Sequence, residues 1–184
     1  MVFEFIYKNS PWIMPTLAIL VALAFAFPRW KRLYQIRSSY RKKDYDFCLN
    51  KTLLEIKKNL FPKSQTAMIS YVLSCSLAIN KKDIFEANLR KITSARPLHI
   101  GIKLIWETLF LLDQGNIEDA KKAYQQLCSL DDQQAQTFSK SISDVFAYYD
   151  GKIAFTKATL QKKMDNADHP ALFRIYSEIK KNIQ

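Results

Sequence analysis

The side chains able to do chemistry are few and far apart. His99 and His169 are the only two imidazoles, seventy positions from each other, and each stands beside a proline-marked turn. Neither belongs to an HExxH pattern, and no CxxC pair occurs, so the spacings that bring metal ligands onto one helix face are missing. Cys48, Cys75 and Cys128 are odd in number and widely spaced. They suit buried, reduced thiols better than a disulfide framework or a zinc site. A cysteine nucleophile needs a base beside it, and none stands near any of the three in sequence. The three glycines, Gly101, Gly115 and Gly151, are too scattered for a phosphate-cradling loop. Asp131 and Asp132 fall at a helix boundary and read as caps. The residues predict no catalytic group, no metal site and no cofactor, and the chain is not expected to be an enzyme.

The chemistry that remains is electrostatic. Residues 28–43 carry seven cations and no acid: Arg29, Lys31, Arg32, Arg37, Arg41, Lys42 and Lys43. The formal net charge of the whole chain is +11, but residues 44–184 hold 20 Lys/Arg against 16 Asp/Glu. The body is only mildly basic, which argues against a nucleic-acid protein, whose folded domain must present a basic face.

What positions those cations lies just before them. Asn9 to Pro28 are twenty residues without a charge, and as a helix they would span about 30 Å, the thickness of a bilayer's hydrocarbon. Eight residues between Trp12 and Phe27 are Ile, Leu, Val or Phe. At about 0.3 to 0.6 kcal/mol each, they favour insertion by roughly 2 to 5 kcal/mol. Trp12, Leu17, Leu20, Phe25, Phe27 and Trp30 are the expected anchor contacts, with Trp12 and Trp30 at the two interfaces. A cleaved signal peptide, with "ALA" at 22–24 or "AFA" at 24–26 as its site, is a rival reading, and a soluble core helix is another. Against cleavage, the leading flank has Lys8 offset by Glu4, and the following flank is strongly positive. Positive flanks stay in the cytoplasm, so the N-terminus is expected outside and residues 29–184 inside. The basic stretch is either a topology signal on a solvated helix or a contact to anionic headgroups as well. The expected organisation is an anchor over 1–28, a basic juxtamembrane helix over 29–43 and a helical domain over 44–184.

Beyond residue 44 the apolar period is 3.6, and the class is all-α. Helices are predicted over 45–60, from 64 to 79, from 83 to 92, over 98–113 and 117–127, around 138–146, from 153 to 160, and from Pro170 onward. Short polar turns separate them, so neighbours should form antiparallel hairpins. Four junctions look alike: "KKDYDFC" at 42–48, "NKKDIFEA" at 80–87, "DQGNIEDA" at 113–120 and "YDGKIAFT" at 149–156. Their small residues Cys48, Ala87, Ala120 and Thr156 stand 39, 33 and 36 apart.

That spacing, and "GNIEDAKKAY" over Gly115–Tyr124 in particular, resembles the tetratricopeptide repeat family. Ala120 and Tyr124 match its small-to-aromatic spacing. Leu104, Thr108 and Leu111 stand where the family prefers Trp, Gly and Tyr. Tyr71, Cys75 and Ala78 keep the corresponding spacings one unit earlier, where Lys91 replaces an aromatic. The resemblance implies an α-solenoid whose first helices line a concave, partner-binding face. By that register the face comprises Ile69, Val72, Ser76, Ile102, Ile105, Leu109 and Leu112. Either a partner's amphipathic helix lies there, or the chain's own Leu172, Tyr176 and Ile179 fill it. An ordinary helical bundle is the alternative fold. The expected function is a membrane-anchored scaffold that binds a protein partner. The rival is an accessory subunit of a larger membrane complex, packed through Ala18, Ala22 and Ala26.

Overall fold

The structure, a computed structural model, describes residues 13–58, 62–93 and 96–183. Within its helices the side chains are described except at 13, 14, 17, 22–26, 29 and 62–66. The described residues are all-α, without a strand. The helices are α1 (Ile13–Arg41), α2 (Tyr45–Lys58), α3 (Pro62–Ala78), α4 (Lys82–Leu89), α5 (Pro97–Asp113), α6 (Ile117–Cys128), α7 (Gln133–Tyr149), α8 (Lys157–Asp165) and α9 (Pro170–Lys181). The chain divides into two units, Met1–Asp44 and Tyr45–Gln184.

The first unit contains α1, a 29-residue helix that continues through Pro28. An internal proline forfeits one backbone hydrogen bond and typically costs about 3 kcal/mol; the helix nonetheless runs unbroken across the boundary drawn at residue 28. Among the described residues no helix is long and apolar enough to cross a membrane. The expected span therefore lacks a counterpart there. Trp12, and the side chains of Leu17, Phe25 and their neighbours at 22–26, lie outside the described residues.

In the second unit the helix starts follow ordinary capping chemistry. Asn116 accepts from the Asp119 N–H at 3.3 Å, Asp132 from Ala135 at 2.9 Å and Thr156 from Thr159 at 3.1 Å. Each satisfies an amide that the first turn leaves without a partner. Pro97 and Pro170 open α5 and α9, where a missing N–H costs nothing. Pro62 opens α3 in the same way, two residues before the predicted start. Ile153 and Ala154, predicted as helical, lie instead in an exposed connector before α8.

The helix stops repeat one geometry. Lys43, Asn80, Gly115 and Gly151 have φ of 60°, 58°, 74° and 69°. They stand 37, 35 and 36 residues apart. Each donates its N–H to the carbonyl three residues back: Tyr40, Leu77, Leu112 and Tyr148, at 3.0, 3.3, 3.0 and 2.9 Å. The next residue donates to the carbonyl five back, from Asp44 to Ser39, Lys81 to Ser76, Asn116 to Leu111 and Lys152 to Ala147, all within 3.0 Å. These are four copies of one Schellman stop.

They also correct the register read from the small residues. Five positions after the stop stand Cys48, Phe85, Ala120 and Thr156. Cys48, Phe85 and Ala120 are fully buried, whereas Ala87 is exposed and Thr156 is an exposed cap. The second junction thus fills its place with a large ring, which stacks on Phe110 at 4.6 Å between centroids.

Each helix of the second unit packs on the next within α2–α3–α4, α5–α6–α7 and α8–α9, while α3, α5 and α7 also neighbour one another in that order. The main core joins Leu73 and Leu77 of α3, Leu109 and Leu112 of α5, Val145 and Phe146 of α7, Leu160 of α8 and Ile175 and Ile179 of α9. Burying each such side chain contributes about 1.5 to 3 kcal/mol. Tyr124 of α6 stacks on Phe146 of α7 at 4.2 Å and donates its hydroxyl to the Ser139 carbonyl at 3.2 Å. Burial pushes that phenol up to about 12. Ala120 is fully buried and Tyr124 half-buried.

Candidate interaction surfaces

The seven residues expected to line a partner groove do not form an open face. Ile69, Val72, Ser76, Leu109 and Leu112 are buried, and Ile102 and Ile105 half-buried. The reason is α9. Its Ala171, Ile175, Tyr176 and Ile179 are buried in the same core cluster as Ile69, Leu109 and Leu112, with Leu172 and Ile102 packed at its margin. α9 lies against both α3 and α5. Of the two occupants that the sequence left open, the chain's own helix fills the place. Ser76 donates its hydroxyl back to the Val72 carbonyl at 2.7 Å and is fully buried, so it is not presented to a visitor.

Two polar contacts clamp α9. Arg174 meets both oxygens of Asp113 at 2.7 Å, through Nε and Nη2. The same guanidinium donates to the Leu77 carbonyl at 2.8 Å and the Ala78 carbonyl at 3.3 Å. It thereby gives the Ala78 carbonyl a donor at the end of α3 and adds a second donor to the Leu77 carbonyl, which also takes the Asn80 N–H, and the bidentate pair fixes its direction. Asp113 is 4% exposed at its side chain, so without Arg174 it would be a buried, uncompensated charge.

His169 makes the other contact. It caps α9, its Nδ1 accepting from the Ala171 N–H at 3.1 Å. Its Nε2 stands 3.1 Å from both the carbonyl and the hydroxyl of Ser74 on α3. The ring lies between Trp106 (5.6 Å between centroids) and Tyr45 (6.4 Å). His169 is buried, just before the proline that opens α9. Burial lowers its pKa below the ordinary value. Arg174 lowers it further, while the Ser74 hydrogen bond and Asp113 act the other way. His99 is half-buried in the first turn of α5, and its Nδ1 has no partner among the described residues.

Beside the clamp is a cleft of about 530 Å³, lined among others by Lys82, Tyr149, Phe173, Arg174 and Lys181. A second, of about 490 Å³, is lined among others by Arg90, Lys103, Glu107 and Gln126. Both mix charges of either sign. Among the described residues no group of three or more His, Cys, Asp or Glu is placed to hold a metal ion. The three cysteines form no disulfide; Cys48 and Cys75 are buried and Cys128 exposed. A hydrogen bond with Cys48, then burial, push the Cys75 thiol well above its ordinary range, so it holds its proton and is a poor nucleophile.

The surface of α1 is of another kind. Ile19, Leu20 and Val21 are 59%, 58% and 49% exposed, and Phe27, Trp30 and Tyr34 are 71%, 77% and 70% exposed. Lys31, Arg32, Arg37, Arg41, Lys42 and Lys43 are exposed among the aromatics. The side chain of Arg29 and those of Ala22 and Ala26 lie outside the described residues; Ala18 is exposed. At 100° per residue, Phe27, Trp30, Lys31, Tyr34, Arg37 and Arg41 share one side of the helix.

Sequence reasoning identified those cations and rings but missed the clamp. Arg174 and His169 find their partners 61 and 95 residues away, and no local spacing announces such pairs. The chain matches no protein-family model, no curated protein and no solved structure.

Proposed function

We propose that the chain is a membrane-anchored helical-repeat scaffold, of the tetratricopeptide type, that holds a protein partner at the cytoplasmic face. One observation carries this reading: a twenty-residue uncharged stretch ends in seven cations within sixteen residues, with exposed Phe27, Trp30 and Tyr34 at the junction. Aromatic rings at headgroup level and positive flanks are the usual furniture of a cytoplasmic interface. The cations near an anionic leaflet supply about 1 kcal/mol each. The four Schellman stops, spaced 37, 35 and 36 residues apart, support the repeat. With α9 filling the inner face, the partner meets the outer surfaces of the helix hairpins. Tethering then strengthens a weak contact by raising the local concentration.

The burial of the expected groove favours a second reading, in which the apolar part of α1 is itself the contact and the chain is an accessory subunit of a larger membrane complex. Small residues at 18, 22 and 26 would allow close helix approach.

Fractionation of cells expressing the full chain, followed by protease treatment of sealed vesicles, tests the first reading. The protein should resist alkaline extraction, and its body should be cut only when the cytoplasmic side is accessible. Release into the soluble fraction sinks the anchor, and cutting from the extracytoplasmic side sinks the orientation. Replacing residues 12–28 by an unrelated apolar helix separates the readings: a scaffold keeps its partner, an accessory subunit loses its complex.

A further inference from the structure

His169 has hydrogen-bond partners for one protonation state only. The Ala171 N–H points at Nδ1, which must therefore present a lone pair. Nε2 faces the Ser74 carbonyl, which can only accept, so Nε2 carries the proton. The neutral Nε2–H tautomer satisfies both ends. An imidazolium would set a second N–H against the Ala171 N–H, removing the cap and leaving a buried amide without an acceptor. Turning the ring over would put Cδ2 at the Ala171 N–H and Cε1 at Ser74, losing both hydrogen bonds, and the other neutral tautomer would aim a hydrogen at the cap and a lone pair at the carbonyl.

The neighbours do not rescue the charged form. From α2 the ring meets Tyr45 and from α5 Trp106. From α3 it meets the carbonyl and hydroxyl of Ser74. Of the charges acting on it, Asp113 of α5 is already held bidentately by Arg174, and Arg174 of α9 repels a second cation. The helix that His169 caps covers the apolar side of α3 and α5.

We propose that α9 is a proton-sensitive latch: neutral His169 pins its first turn to α3, and protonation frees that turn from the apolar face beneath it. The Arg174–Asp113 pair stays charged and keeps the second hold, so the opening is local. The sign follows from linkage. A histidine whose folded value is lowered binds its proton more readily when the turn is open. The closed state is therefore fully favoured above the ordinary histidine value and loses ground as pH falls below it. One proton limits the loss to about tenfold per pH unit. The latch needs neither the membrane anchor nor the partner and stands apart from both.

Hydrogen exchange on the full chain in detergent, at about pH 7.5 and about pH 5.5 and corrected for intrinsic rates, reads the latch. Protection of the amides at 171–175 should fall by up to about tenfold per unit of pH, while those of α6 hold. His169→Asn keeps a capping oxygen without titrating in this range and should show equal protection at both values. Unchanged protection in the native chain, or the same fall in H169N, overturns the proposal. If H169N does not fold, proton NMR of the two imidazoles, assigned with His99→Gln, decides. His169 titrating below the ordinary range in step with the α9 amide shifts upholds the latch, and an ordinary titration overturns it.

Discussion

Helices α1 and α9 are both rich in apolar and basic residues, but they are answered differently. α9 concentrates Ala171, Ile175, Tyr176 and Ile179 on one side, and every one is buried among residues of this chain. α1 leaves Leu20, Phe27, Trp30 and Tyr34 more than half exposed. A narrow apolar stripe is the mark of a helix whose covering surface is at hand. α1 instead places large apolar and aromatic side chains where solvent or something outside the described residues must meet them. The contrast separates what stabilises the fold from what is left over for a task.

The sharpest break of this comparison is Ile179→Ala. The residue is fully buried, and removing its methyl and methylene groups should cost about 2 to 5 kcal/mol in a denaturant melt. A change under about 0.5 kcal/mol would mean that α9 is not docked as described. Asp113→Asn should come next. It leaves Arg174 without its counter-charge, and breaking a buried pair costs about 3 to 5 kcal/mol. The guanidinium is 37% exposed at its side chain, so water recovers part of that and about 2 kcal/mol is expected by the same melt. The smallest effect belongs to α1: Trp30→Ala with Tyr34→Ala should leave the stability of the second unit within about 0.5 kcal/mol. The same pair should weaken flotation with anionic vesicles relative to zwitterionic ones. Equal flotation with both lipids would take the anionic leaflet out of the proposal.

Most helix boundaries were legible because proline, asparagine, aspartate and glycine punctuate them. Gly115 with Asn116, and Asp150 with Gly151, announce a left-handed stop and the start that follows. Lys43 and Asn80 perform the same left-handed turn without glycine; those two junctions were seen but their stops carry no glycine to fix the register, and the second was read two residues out. Ala87 then looked like the packing residue when Phe85 was. Six of the seven groove residues were legible as apolar, and cover by the last helix stood as one of two readings; the choice between them was not legible, since it depends on a helix about a hundred residues further on. Arg174 reads in sequence as one more cation on a basic helix. Only the fold brings it to the carbonyls of Leu77 and Ala78.

The distance along the chain between His169 and Ser74, 95 residues, also sets a timetable. A ribosome adding about 5 to 20 residues per second needs roughly 5 to 20 s to make that interval. Throughout it α3 has emerged with a greasy flank and carbonyls that await the guanidinium. A nascent chain in this condition is a client for any chaperone at the tunnel exit, and slow codons between α5 and α9 would lengthen its exposure.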